Sequence, residues 1–160
     1  MVTLDPLPAD DSRAIAVLTA YFDLRGAIFP AGQQYRPTFP GADAFTPPAG
    51  VFLVAVGADG TDLGCGGIRR IEDGPRGPRF EVKHLYVDPE ARGQGIGRAL
   101  LEALESSARG WGAAELVLDT HHTLEAAARL YDAAGFEPTA PYNTNPNATR
   151  WYRKPLPPQG

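Results

Sequence analysis

The chain has 160 residues, 43% of them apolar and 21% charged, which suits one domain with a substantial core. Its net charge of −4, with no basic tract to offset it, argues against nucleic acid as a partner. No apolar run approaches a membrane span, the first residues lack the charged and apolar regions of a signal peptide, and the single Cys65 excludes an internal disulfide. Together these features predict a cytoplasmic protein that does not engage a membrane.

Residues 2–5 read as a short edge strand. Asp10-Asp11-Ser12 is an N-cap cluster. A helix is expected from it to about Leu24, with Ala14, Leu18, Tyr21 and Phe22 on the buried side and Gly26 ending it. The segment from Gly26 to Gly50 carries Pro30, Pro37, Pro40, Pro47 and Pro48, which no long regular helix can cross. It also carries Ile28, Phe29, Tyr35, Phe39 and Phe45, too many apolar groups for a solvated linker. Those aromatics either plug the core or form one wall of a substrate site, since long ordered loops are often functional.

Val51–Val56 is an apolar strand and Leu63–Ile71 a second, softened by Gly64, Gly66 and Gly67, where another chain segment can approach closely. Cys65 is expected to pack as a small apolar residue. Glu81–Val87 is a third strand, signalled by Val82, Tyr86 and Val87. Short turns at Gly57–Gly60 and Glu72–Pro78 make the three an antiparallel meander. Asp88-Pro89 stops the third strand, and a glycine-rich turn follows.

Ile96, Leu100 and Leu104 then recur at helical spacing, predicting a helix from about Gly95 to Arg109. Gly110 and Gly112 break it. Leu116–Asp119 is a short strand, parallel to 81–87 because a helix connects them. Leu124–Ala134 is a helix capped by Gly135. Phe136–Thr139 and Thr149–Lys154 form a final pair of strands. Residues 1–154 thus make one domain, and Pro155–Gly160 is expected to be a frayed tail.

The turn has a chemical use. The first N–H groups of a helix lack internal partners, and the macrodipole makes that end positive, so a phosphate fits there. Gly93, Gly95 and Gly97 would let a pyrophosphate reach the backbone and allow positive φ. Arg92 and Arg98 flank the turn and can add charge-assisted contacts. The spacing is not that of the Rossmann fingerprint, and Gly97-Arg98-Ala99 does not end a nucleotide-triphosphate loop.

Arg92-Gly93-Gln94-Gly95-Ile96-Gly97, preceded by Leu85-Tyr86-Val87-Asp88-Pro89, resembles the acetyl-CoA signature of the GCN5-related N-acetyltransferase (GNAT) family. Ala127-x-x-Leu130-Tyr131-x-x-x-Gly135-Phe136 resembles its second motif, and the element order matches along nearly the whole chain. Tyr142-Asn143-Thr144-Asn145-Pro146 is similar to a loop of one bacterial subgroup.

The resemblance implies a single-domain α/β fold, a mixed sheet of about seven strands flanked by about four helices. It implies acetyl-CoA as co-substrate, held by Arg92, Gly93, Gln94, Gly95, Ile96, Gly97 and Arg98, with the backbone of Leu85, Tyr86 and Val87 pairing the pantetheine arm like an added strand and polarising the thioester.

It also implies that Glu81 draws the proton from the amine and that Tyr131 donates one to the departing thiolate. Strict alternation would put Glu81 on one face with Lys83, Leu85 and Val87; a structural Glu81 would simply pair with Lys83. Phe29, Tyr35 and Asn143 are candidates for the acceptor site, although Asn143, Asn145 and Asn147 are also ordinary turn formers. Leu124 departs from the asparagine that many relatives use to bind pantetheine. For His84, His121 and His122, adjacent histidines rarely share one metal with good geometry and no Cys, Asp or Glu lies at ligand spacing apart from Asp119, so no metal is expected.

The expected activity is direct acetyl transfer to a small-molecule or protein amine, by a monomer or homodimer. A non-catalytic acyl-CoA-binding module or another acyl donor would share the fold.

Overall fold

Val51-Phe52-Leu53-Val54-Ala55 is apolar on both faces, and all five residues are buried, so this strand must have layers on both sides. Alternate residues go to alternate cores. Val51, Leu53 and Ala55 join one cluster, Phe52 and Val54 the other. The computed structural model describes residues 1–158.

The elements in chain order are β1 (Thr3–Pro6), α1 (Ser12–Ile28), β2 (Gly50–Val56), β3 (Asp62–Gly74), β4 (Gly77–Val87), α2 (Ile96–Gly110), β5 (Glu115–Thr120), α3 (Glu125–Ala133), β6 (Glu137–Pro138) and β7 (Arg150–Pro155). The seven strands form one mixed sheet in the order β1-β2-β3-β4-β5-β7-β6. The expected antiparallel meander is β2-β3-β4, and the expected parallel pair is β4-β5. One core is built around Leu100, Leu104, Leu116 and Tyr131 of α2, β5 and α3. The other is built around Leu18, Tyr21 and Phe22 of α1 with Phe45.

Among the described residues three α-helices flank the sheet, where about four were expected. The proline-rich stretch after α1 contributes only a short 3-10 turn, Ala42–Phe45. α1 also runs past Gly26 to Ile28. The stop comes from Pro30 instead: Phe29 is extended (φ −67, ψ 141), as a residue preceding proline prefers. Asp11 caps the start, accepting from the Arg13 amide at 2.9 Å. At the other end of the chain Pro155 closes β7, and Leu156 is buried with its N–H on the Ala114 carbonyl at 2.8 Å. The chain is therefore anchored through Leu156, where a frayed tail was expected from Pro155; residues 159–160 of that stretch lie outside the described residues.

Two irregularities of β4 make the site. Cys65 pairs with Tyr86 but Gly67 pairs with Lys83, so β4 holds one extra residue there. That bulge is centred on His84, in the left-handed region at φ 57. It breaks the expected alternation. Leu85 and Val87 pack with Phe80 and Val82 in the α2 core, on the face opposite Glu81 and Lys83, while Tyr86 packs in the α1 core. Second, β4 and β5 pair only over Arg79–Glu81 with Glu115–Val117. Beyond Glu81 the β5-facing edge of β4 has no ladder partner in β5.

Candidate functional site

The gap beyond Glu81 opens into a cleft of about 720 Å³. Its floor is Leu85, Tyr86 and Val87; one end is Arg92, Gly93, Gly95, Ile96, Gly97 and Arg98; α1 contributes Tyr21, Leu24 and Ile28, and α3 with its approach contributes Thr123 to Ala127, Arg129 and Leu130. Gln94 is exposed on the turn but does not line the cleft.

The glycines divide their work differently from expectation. Gly93 and Gly95 stand at φ 86 and 77, with nothing within 4 Å of where a Cβ would be. Side chains there would be strained and would project into the open turn. Gly97 has no positive φ; a Cβ would lie 3.1 Å from Leu130 Cδ2, so this glycine lets α2 pack closely on α3. Gly95 is the N-cap of α2 and no side chain caps it, which leaves the first helix N–H groups directed out of the helix end. Arg92 and Arg98 are exposed beside them. Arg98 pairs with Glu102 at 2.9 Å, an exposed contact that is readily exchanged. The turn thus offers the N–H groups, the positive helix end and the two guanidinium groups that a pyrophosphate requires.

Leu124 stands in the cleft wall as the N-cap of α3 and makes no side-chain capping bond. Its amide donates to the His121 carbonyl at 2.9 Å.

Glu81 does not line the cleft. It is 2% exposed and lies on the α1 side of the sheet, where its partner is not Lys83. Arg69, directly across on β3, donates to Oε1 from Nε at 3.0 Å and lies 2.8 Å away through Nη2. Tyr142 donates its phenol to Oε2 at 2.6 Å. Burial and the Glu81 charge push the Tyr142 phenol well above its ordinary range. Lys83 instead reaches Asp119 at 3.4 Å, and Asn143 donates to the same carboxylate at 2.7 Å. Asn143 Oδ1 in turn accepts from Trp151 Nε1 at 2.9 Å and the Asn145 amide at 3.2 Å. Asn143 is therefore committed to the wall that holds Asp119.

Tyr131 is buried against Phe136 and Tyr152, with ring centroids at 5.8 and 6.1 Å. Burial raises its phenol well above the usual value. Its neighbours Leu130 and Ala127 line the cleft. His84 edges onto Tyr21, Phe22 and Phe45. Burial, followed by Lys83 and Arg69, lowers its pKa to about 3. Cys65 is fully buried with Sγ on the His84 carbonyl at 3.2 Å, and burial pushes its thiol up.

Phe29 and Tyr35 lie over the α1 side of the site. Phe29 packs at a tilt on His121, with ring centroids 4.7 Å apart, and Tyr35 packs beneath the Arg25 guanidinium at 4.9 Å. Arg25, Arg69, Asp119 and Tyr142 were not picked out as site residues from the sequence. Only Tyr142 carried a signal, as the first residue of the Tyr-Asn-x-Asn-Pro loop. Among the described residues no group of three or more His, Cys, Asp or Glu could hold a metal, and no helix is long and apolar enough to cross a membrane.

The model of the acetyltransferase (GNAT) family matches residues 18–136. Over 103 residues, 64% of this chain, the sequence is 41% identical to an uncharacterized N-acetyltransferase of Schizosaccharomyces pombe. The match spans 61% of that relative, so the chain covers less than two thirds of its length. A candidate acyl-CoA N-acyltransferase from Klebsiella pneumoniae is 30% identical, with a TM-score of 0.74 and 98% of each chain covered. The fold is shared, at 21% identity and a TM-score of 0.66, with phosphinothricin acetyltransferase of Sinorhizobium meliloti, solved in complex with acetyl-CoA; 97% of this chain and 88% of that one are covered.

Proposed function

The chain belongs to the acetyltransferase (GNAT) family, and from that membership we propose that it transfers the acetyl group of acetyl-CoA directly to an amine. The observation that carries this reading is the cleft itself. An uncapped helix end with two arginines lies at one extremity, and an unpaired, bulged strand edge forms the floor. Acetyl-CoA supplies the acyl group and the thiolate leaving group. A pyrophosphate fits the N–H groups of residues 93–98, and the two amides of a pantetheine arm fit the free edge of Leu85 to Val87.

In the reaction the amine nitrogen forms a bond to the thioester carbon and the carbon–sulfur bond breaks. An alkylamine is an ammonium near neutral pH and must first lose a proton. Glu81, which lies outside the cleft lining, receives it through water, its carboxylate oriented by Arg69 and Tyr142. Tyr131 donates its phenolic proton to the leaving sulfur; its raised pKa keeps the phenol protonated until the thiolate develops. The N–H groups of the bulged strand are the donors for the carbonyl oxygen. Transfer proceeds within a ternary complex, because the single cysteine is buried and its thiol is held protonated. Localisation in the cytoplasm and a monomeric or dimeric state complete the proposal.

Calorimetric titration with acetyl-CoA, CoA and NAD tests the cleft. Micromolar binding of the first two, with none of NAD, is expected. Thiol release with an amine panel then tests transfer. Binding without release for any amine would favour an acyl-CoA-binding module. No binding would sink the reading, with Leu124 the first residue to restore to asparagine.

A further inference from the structure

Among the described residues, no carboxylate lies within salt-bridge distance of the buried cation Arg25. It is 8% exposed, on the inner face of α1. Its contacts among the described residues are neutral: the Tyr21 hydroxyl at 3.3 Å and ring at 6.0 Å, the Asn147 carbonyl at 3.0 Å and the Tyr35 ring at 4.9 Å. Its Nε has no hydrogen-bond partner among the described residues. Burying a guanidinium without an acidic partner is costly, and such charges are ordinarily paired.

A second orphan shares its aromatic surroundings and feels its charge. His121 is 1% exposed, and its Nε2 is also without a partner among the described residues. Its tautomer follows from its other nitrogen. The Thr123 amide donates to Nδ1 at 3.3 Å, so Nδ1 carries no proton and Nε2 does. Burial lowers the His121 pKa, with smaller contributions from His122 and Arg25, which keeps the ring neutral. Both orphans are therefore N–H donors, and no unpaired buried side-chain acceptor accompanies them among the described residues. The two share one aromatic frame, with Arg25 on Tyr35, Tyr35 on Phe29 at 5.4 Å, and Phe29 on His121 at 4.7 Å.

The frame adjoins the cleft. Tyr21 and Thr123, the residues that touch Arg25 and His121, both line it. Tyr21 also packs on Tyr86 and His84, at ring separations of 5.6 and 6.1 Å, so this is the end of the cleft where the bulged strand lies.

Two unpaired donors, one of them on a fixed cation, with no unpaired side-chain acceptor beside them among the described residues, select an acceptor-only anion. We propose that Arg25 and His121 bind the carboxylate of the acceptor, so that the substrate is an amine bearing a carboxylate, of the amino-acid class. This rests on the acetyl-transfer reading of the same cleft. A guanidinium takes a carboxylate through two N–H groups, and a fixed carboxylate would hold the amine at one distance from the thioester.

The test uses matched acceptors: free amino acids and their carboxamides, which keep the amine and lose the charge. Binding to the CoA-loaded protein is measured by calorimetry, and transfer by thiol release with acetyl-CoA. The acids are expected to bind and react at least about tenfold better than the amides. Arg25→Gln should abolish that preference by raising KM for the acids alone, Arg25→Lys should restore part of it, and CoA affinity should stay unchanged in both. A merely structural Arg25 would weaken acids, amides and CoA together. Equal use of acids and amides by the unaltered protein, or a preference that survives Arg25→Gln, overturns the proposal while CoA binding leaves the transfer reading standing. Failure to bind CoA overturns both.

Discussion

Tyr142 and Glu81, 61 positions apart in sequence, meet through a 2.6 Å hydrogen bond in which the phenol donates to a carboxylate that is 2% exposed. The bond ties the loop before β7 to the central strand, on the oxygen that Arg69 leaves free. Charge-assisted bonds of this kind are short and strong. Tyr142→Phe removes the donor and leaves part of a buried carboxylate unsatisfied, at a cost of about 1–3 kcal/mol. Urea denaturation should show that loss, and kcat should fall as the carboxylate loses its fixed orientation. Unchanged stability and kcat would make the contact incidental.

Glu81→Gln keeps the shape and removes the base. Turnover should fall by about 100-fold or more, with acetyl-CoA affinity within about twofold, because Glu81 lies outside the cleft wall. A variant with near-normal kcat would transfer the role of base to another group.

Tyr131→Phe should likewise lower kcat by about 10–100-fold while leaving acetyl-CoA affinity unchanged. Because burial raises the Tyr131 pKa above the ordinary 10.0, the phenol keeps its proton throughout the usual assay range. The pH–rate profile should therefore lack a falling limb up to about pH 10. A limb near pH 8 would point to a different acid.

At Gly95, φ is 77. Asparagine tolerates that region better than other side chains, so Gly95→Asn separates the blocking of the turn from backbone strain. It should weaken CoA binding several-fold. Gly95→Glu, which adds a like charge against a pyrophosphate, should abolish binding with the fold intact by circular dichroism. Retained affinity in the glutamate variant would remove the turn from the site.

His84 has its pKa lowered to about 3, by burial first and by Lys83 and Arg69 next. In the unfolded chain a histidine titrates near 6.5. Between these values the unfolded state binds more protons, so the stability that His84 contributes is complete above about pH 6.5 and is lost as pH falls toward 3. The slope attributable to one proton is about 1.4 kcal/mol per pH unit. Urea denaturation from pH 7.5 to 4 should show it, and His84→Asn, which accepts φ 57, should flatten the profile. An equal slope in the variant would assign the acid lability elsewhere.

The order of elements, the meander, the parallel pair and the turn were legible because each rests on local signals: the apolar β2, the proline after Asp88, and the fourfold spacing of Ile96, Leu100 and Leu104. The end of α1 was misread because Gly26 is a permissive residue, whereas Pro30 acts on the residue before it. The faces of β4 were misread for a deeper reason. A bulge at a histidine leaves no mark in a hydrophobic pattern, and its position depends on how β3 pairs. Arg25, Arg69 and Asp119 were invisible as site residues because their roles arise from contacts with segments 12 to 122 positions away.

Strand β4 therefore carries two reading frames. Before His84, even-numbered side chains belong to the α2 layer; after it, odd-numbered ones do. Flattening the bulge with the residue kept would do more than straighten a strand. Leu85 and Val87 would rotate to the α1 side while Tyr86 turned to the other. The cleft would keep its composition and lose its floor. The faces of Leu85, Tyr86 and Val87 thus depend on the bulged backbone at His84, and a substitution there is tolerated only if it keeps that backbone.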